Sequence, residues 1–185
     1  MRTDSAGQSA LLLLDAVDIL IHEKIAYAVI GAMAASVHGV VRASLDADAV
    51  LALSPKEMKT LEPRFREAEF RTQFRPGNPD DPIPAMLVLT DDHGNRVDLL
   101  AGLRGMEPAA FSRALVVSFF GKPLSVVGCE DFIAMKVFAG GPVDMDDARN
   151  ALAVAGDAIN ADLLRRVTRN YGAAAEESLE MLLSR

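Results

Sequence analysis

The residues best suited to chemistry are the two carboxylates of Asp46-Ala47-Asp48. On a β-strand, side chains i and i+2 leave the same face, with Cα atoms roughly 6.5–7 Å apart. Two carboxylates so placed can converge on one or two divalent cations. Asp98 is the third candidate. It interrupts the apolar run Val97-Asp98-Leu99-Leu100, where an unpaired charge is costly to bury. Hard oxygen donors of this kind suit Mg²⁺ or Mn²⁺.

The tripeptide alone is weak. The chain holds 16 Asp, so one Asp-x-Asp is expected by chance, and a second occurs at Asp144-Met145-Asp146. That second pair follows Gly140-Gly141-Pro142 at a helix start, where capping and the helix dipole explain it. Context separates the first pair. Upstream lies a strand–Gly–helix unit, Val29-Ile30-Gly31-Ala32-Met33-Ala34. Its glycine permits a sharp turn, and the N–H groups beyond it can face an anion. Lys136 sits mid-helix among apolar neighbours and either snorkels to solvent or reaches a phosphate. Arg42 and Ser44 precede the acidic pair and can touch phosphate, although such loop residues are commonplace. His38 reads as a helix-end residue, Cys129 as an inert small hydrophobe, and Arg165, Arg166 and Arg169 as a solvated helix face.

Composition narrows the chemistry further. The chain has 185 residues, half of them apolar and 24% charged, which fits one globular domain with a small helical appendage. A net charge of −7 argues against a strongly basic nucleic-acid-binding module. A single cysteine excludes an intramolecular disulfide and a multi-cysteine zinc site. His22, His38 and His93 are scattered, so carboxylates are left as metal ligands. No signal peptide and no apolar stretch of the roughly 18 residues that span a bilayer is apparent, so a soluble cytoplasmic protein without membrane contact is expected.

The elements that must position these residues follow from periodicity. Residues 1–9 read as a loose tail. Ser9 to Lys24 has helical spacing, Tyr27–Ile30 is a short strand, and Ala32 to His38 a short buried helix stopped by Gly39. Ala47 to Leu53 reads as a strand with Asp46 and Asp48 at its start, and Pro55 opens a helix. The proline-rich Arg75–Pro84 stretch is a loop or extended edge. Ala85–Thr90 and Arg96–Ala101 form a hairpin across Asp91-Asp92-His93-Gly94-Asn95. Ala114–Phe119 and Pro123–Val127 are shorter strands, and four helices follow at Glu130–Ala139, Asp144–Ala155, Ala161–Arg169 and Ala173–Leu183. The expected fold is α+β, a mixed sheet flanked by helices. Residues 1–128 form the α/β core, and 129–185 a C-terminal helical segment packed on it.

The order of these motifs resembles a known family. It runs Gly31-Ala32-Met33-Ala34, His38-Gly39, Arg42, Ser44-Leu45-Asp46-Ala47-Asp48, Arg96-Val97-Asp98-Leu99-Leu100, then Glu130 to Lys136 and Asp144-Met145-Asp146-Asp147. This is similar to the small bacterial branch of the nucleotidyltransferase-fold (DNA polymerase β-like) superfamily, the relatives of abortive-infection toxin nucleotidyltransferases. The resemblance runs from about Tyr27 to Leu152.

The resemblance implies a Mg²⁺- or Mn²⁺-dependent nucleotidyltransferase with an NTP as substrate. Asp46, Asp48 and Asp98 hold the cations, and Asp98 helps to activate the attacking hydroxyl. Gly31, Ala32, Arg42, Ser44 and Lys136 contact the nucleotide, and Asp144 matches a downstream acidic residue. The acceptor is an RNA, a protein or a small molecule, and a toxin–antitoxin role with an antitoxin partner is suggested by resemblance. Two departures are Ala32, where the family favours Gly or Ser, and Leu45, where Lys or Arg is frequent. They motivate the alternative of a catalytically weak or inactive nucleotide- or partner-binding protein with the same fold. A sugar transferase using the Asp-x-Asp is a third reading.

Overall fold

The computed structural model describes residues 2–41, 43–78 and 80–184. Helix α1 (Ser9–His22) buries Leu12, Leu13, Leu14, Ala16, Val17 and Leu20. Strand β1 (Tyr27–Ile30), helix α2 (Gly31–Val37) and strand β2 (Asp46–Leu51) follow, then α3 (Pro55–Glu67), β3 (Arg71–Pro76), β4 (Ala85–Thr90) and β5 (Arg96–Ala101). A single turn, α4 (Ala109–Ser112), leads to the hairpin β6 (Leu115–Phe119) and β7 (Lys122–Val126). Helices α5 (Cys129–Ala139), α6 (Pro142–Ala155), α7 (Ala161–Arg169) and α8 (Ala173–Leu183) complete the chain.

The seven strands form one sheet in the order β3-β4-β5-β2-β1-β7-β6. β2 runs parallel to β5, and β1 parallel to β7, while the other neighbours are antiparallel. The fold is therefore the mixed α+β arrangement expected. Residues paired across strands share a face, and residues along a strand alternate faces. The β2–β5 register sets Asp46 beside Arg96 and Asp48 beside Asp98. These four polar side chains share one face. Ala47, Ala49, Leu51, Val97, Leu99 and Ala101 occupy the other, are at most 2% exposed, and belong to the two strands that α1 packs on.

One local expectation is corrected, and two further features go beyond the sequence reading. The N-terminal tail is not loose. Arg2 bonds Asp15 and Asp18, the Gln8 amide donates to Asn95 Oδ1 (2.6 Å), and Asn95 Nδ2 donates to the Ser5 carbonyl (2.9 Å). Pro63 does not end its helix. α3 continues to Glu67 because fully buried Phe65 and a Ser54–Glu57 capping box hold it; each outweighs part of the proline's missing bond. β3 is an edge strand paired with β4 along its length. Its exposed polar residues carry no apolar alternation, and only an edge tolerates Pro76.

One apolar cluster contains Val29, Leu51 and Leu99 of the sheet together with Phe132, Ala148, Leu164 and Leu179 of the C-terminal helices. Charges lock the same junction. Arg113 forks onto Asp131 of α5 (2.8 and 2.7 Å) and bonds Glu107 (2.6 Å). Glu107 also accepts from Arg166 of α7 (2.8 Å), and Arg166 followed by Arg113 holds its carboxyl below the usual range. No helix among the described residues is long and apolar enough to cross a membrane.

His38 caps α2 inside this junction. It is 7% exposed, stacks on Phe132 with centroids 5.1 Å apart, and bonds the Val127 carbonyl through Nε2 at 2.8 Å. A carbonyl only accepts, so Nε2 carries the proton. Burial pushes the imidazole below its ordinary 6.5, against the opposing effect of that bond. Below pH 6.5 the unfolded chain binds a proton at His38 that the folded chain does not, so stability falls with falling pH. The urea midpoint is expected to drop between pH 7.5 and pH 5.5, and His38→Gln to remove that component. Asp18 and Asp91, where hydrogen bonds outweigh burial, and Glu107, lowered by Arg166, act only below their ordinary 3.8 to 4.5 and leave this window clear.

Candidate active site

Asp46, Asp48 and Asp98 converge as the spacing suggested. One carboxylate oxygen from each lies within 4.8 Å of the other two. Asp98 is 6% exposed, and Asp46 and Asp48 are half-buried. Ser44 Oγ donates to Asp46 Oδ1 at 2.6 Å, so Ser44 orients a carboxylate of the triad. Three hard anionic donors at this separation suit a magnesium or manganese ion. The residues present therefore fit the group that the resemblance implies.

Gly31 has a role that its place in the sequence does not disclose. It opens α2 at a φ of +63°, and Asp48 lies directly over its Cα. A Cβ built there meets Asp48 Oδ2 at 2.2 Å. The glycine thus supplies both the left-handed turn and the space for the carboxylate.

Beside Asp48 a cleft of about 320 Å³ extends to α5 and α6. Gly31, Asp48, Lys136 and Asp144 all line it, with Ile30, Leu100, Met135 and Phe138 as its apolar wall. The chain therefore gathers distant expected residues into one concavity. Pro82 and Ile83, from the loop after β3, complete the rim. Lys136 is 9% exposed, lies 5.7 Å from the Phe132 ring centroid, donates to Asp144 Oδ1 (2.8 Å) and forms an ion pair with Asp147 Oδ2 (2.9 Å). Asp144 thus does more than begin a helix, since it ties the lysine to the cleft wall.

Other candidates fall elsewhere. Ala32 is 5% exposed and belongs to the buried core. Arg42 lies outside the described residues. Burial pushes the half-buried Cys129 thiol up to about 11, which leaves it unreactive at neutral pH. Arg165, Arg166 and Arg169 are each paired with a glutamate.

Two residues escape the sequence reading. Arg96 forks onto Asp98, with Nε to Oδ1 at 2.8 Å and Nη2 to Oδ2 at 2.7 Å. The Asp98 bonds, ahead of the charges of Asp46 and Asp48, raise its pKa. Its place two residues before Asp98 on one strand is the signal that could have found it. Asp147 is the other, because nothing local distinguishes it from Asp146.

No family model matches this sequence, and no curated protein matches it. Solved structures match along most of the chain. Antibiotic-resistance factor ANT(2'')-Ia aligns at a TM-score of 0.61 and 13% identity, covering 94% of each chain. A putative nucleotidyltransferase from Thermotoga maritima aligns at 0.56 and 17% identity, covering 82% of this chain and 97% of that one. The lincosamide antibiotic adenylyltransferase LnuA, lincomycin-bound, aligns at 0.51 and 10% identity, covering 82% of this chain and 99% of that one. The fold is the nucleotidyltransferase fold.

Gly31→Ala tests the packing of Asp48. Moving a left-handed residue to Ala costs about 1–2 kcal/mol. The displaced carboxylate is expected to weaken Mn²⁺ binding in an electron paramagnetic resonance titration while the protein stays folded by circular dichroism. Unchanged Mn²⁺ binding would show that the Asp48 position is immaterial to the site.

Proposed function

We propose that this protein is a metal-dependent nucleotidyltransferase that moves a nucleoside monophosphate from an NTP to a hydroxyl of a small-molecule acceptor. The observation that carries the reading is the convergence of Asp46, Asp48 and Asp98, where Asp48 also lines a cleft together with Gly31 and Lys136. An acidic cluster alone marks no substrate. Joined to a concavity with a buried cation and an apolar wall, it suits a ligand that is part polyanion and part heterocycle.

Asp46, Asp48 and Asp98 would hold Mg²⁺ or Mn²⁺, which supplies charge stabilisation to the reacting phosphate oxygens. The chain's own residues do the rest. Gly31 leaves room for the Asp48 carboxylate, and the wall of Ile30, Leu100 and Phe138 excludes water beside the nucleotide. Lys136, held at the cleft wall by Asp144 and Asp147, keeps a positive charge beside the phosphate oxygens. Asp98 takes the proton of the acceptor hydroxyl. The acceptor oxygen bonds to the α-phosphorus, the bond from that phosphorus to the β-phosphate bridging oxygen breaks, and pyrophosphate leaves with the electron pair. Positioning and charge dominate such a reaction.

The small-molecule acceptor is supported by the neighbours. ANT(2'')-Ia is also known in complex with adenylyl-2''-tobramycin, and in that state it aligns at a TM-score of 0.59 and 15% identity, covering 88% of this chain and 98% of that one. LnuA is lincomycin-bound. An RNA or protein acceptor, and a toxin role with an antitoxin partner, rest on sequence resemblance alone. A catalytically weak or inactive nucleotide- or partner-binding protein with the same fold is the second reading; Ala32 and Leu45 motivate it, and the two carboxylates on the Lys136 ammonium favour its partner-binding form.

Label transfer from α-³²P-NTPs to a panel of hydroxylated small molecules, RNA and cell protein decides between them. Transfer is expected with Mg²⁺ present and lost on chelation. Asp48→Asn is expected to reduce it about a hundredfold or more. NTP binding with no transfer to any acceptor class would favour the binding module.

A further inference from the structure

We infer that Arg96 is a built-in counter-cation of the carboxylate triad, one that an arriving divalent cation must displace from Asp98. The inference rests on the metal-site reading above and goes beyond it, because it concerns what the site does before any cation arrives.

The β2–β5 register sets Arg96 beside Asp46 and on the same face as all three carboxylates. Its fork engages both oxygens of Asp98, at 2.8 and 2.7 Å. A bidentate fork of this kind takes up the directions from which a carboxylate binds a cation best. The Asp98 side chain is 8% exposed, so the guanidinium shields it from water as well as neutralising it. A dication sharing those oxygens meets a positive charge at hydrogen-bond distance. The Arg96 side chain is 39% exposed, so it has an open route to solvent. An extended arginine released to water loses little, because its guanidinium stays solvated.

Two consequences follow. Without a cation, the triad keeps its shape through an internal positive charge. With one, metal binding is an exchange of cations, and free-metal affinity is held down by the residue that holds the site together. A cation arriving with a polyphosphate has the advantage, since the phosphates offer the released guanidinium a new anion.

The test is Mn²⁺ titration of the nucleotide-free protein by electron paramagnetic resonance, for wild type, Arg96→Gln and Arg96→Lys. Losing a charge-assisted competitor is expected to tighten Mn²⁺ binding about tenfold in Arg96→Gln. Arg96→Lys, which cannot fork, is expected to fall between. In thermal unfolding, Arg96→Gln is expected to melt below wild type in EDTA and to gain more than wild type from Mg²⁺. Equal or weaker Mn²⁺ binding in both variants overturns the inference and makes Arg96 a support that orients Asp98. If circular dichroism finds Arg96→Gln unfolded, Arg96→Lys alone carries the comparison. Absence of Mn²⁺ binding in every protein, with and without ATP, overturns the metal-site reading itself.

Discussion

The parallel pairing of β2 with β5 is the constraint on which the rest of the site depends. It sets Asp48 beside Asp98 and Asp46 beside Arg96 in the middle of the sheet. A slip of one residue would send the carboxylates into the face packed by Ala49 and Leu99, and those side chains into the cleft. The buried face therefore enforces the register, with Ala47, Ala49, Val97 and Leu99 all at most 2% exposed. Apolar packing on one side of the sheet fixes the electrostatics on the other.

Holding three carboxylates within 4.8 Å is costly in itself. Two unit charges at that range repel by about 3 kcal/mol at an effective dielectric constant near 20. Such a cluster persists in a folded chain only when something offsets the repulsion. Here Arg96 forks onto one carboxylate, the Ser44 hydroxyl donates to a second, and the third packs over a glycine Cα. Each device suits its position. A longer side chain at 31 would strike Asp48, and an apolar residue at 96 would leave Asp98 buried without its fork.

Much of this is legible in the sequence, for identifiable reasons. The β4–β5 hairpin is readable to the residue because Ala85–Thr90 and Arg96–Ala101 are apolar runs around a turn sequence. The Asp46, Asp48 and Asp98 set is readable because strand alternation converts spacing into a shared face. β3 is not, because an exposed edge strand needs no apolar alternation. The N-terminal tail misleads because its anchors, Asp15, Asp18 and Asn95, are distant from it in sequence. The Lys136–Asp147 contact depends on how α5 meets α6, a tertiary fact with no local signal. The resemblance supplies the order of the motifs, but neither the role of Arg96 nor the packing of Gly31.

The overall charge of −7 also changes meaning once the positions are known. Two described cations of the site are already held by carboxylates, Arg96 by Asp98 and Lys136 by Asp144 and Asp147. A polyanionic ligand therefore meets no free positive charge among these two residues, and a cation meets no uncommitted Asp98. Each alone must break an ion pair in partly desolvated surroundings, which is expensive. Under the proposed function, arriving together they would exchange partners: the dication would take Asp98 and a phosphate the released Arg96. At Arg96 the number of opposite-charge contacts is conserved, so the joint event avoids the desolvation cost that each single event incurs there, whereas releasing Lys136 would take a cation from Asp144 and the buried Asp147. On the proposed function, a cleft built this way would couple its two ligands thermodynamically, through the Arg96–Asp98 ion pair already present in the fold.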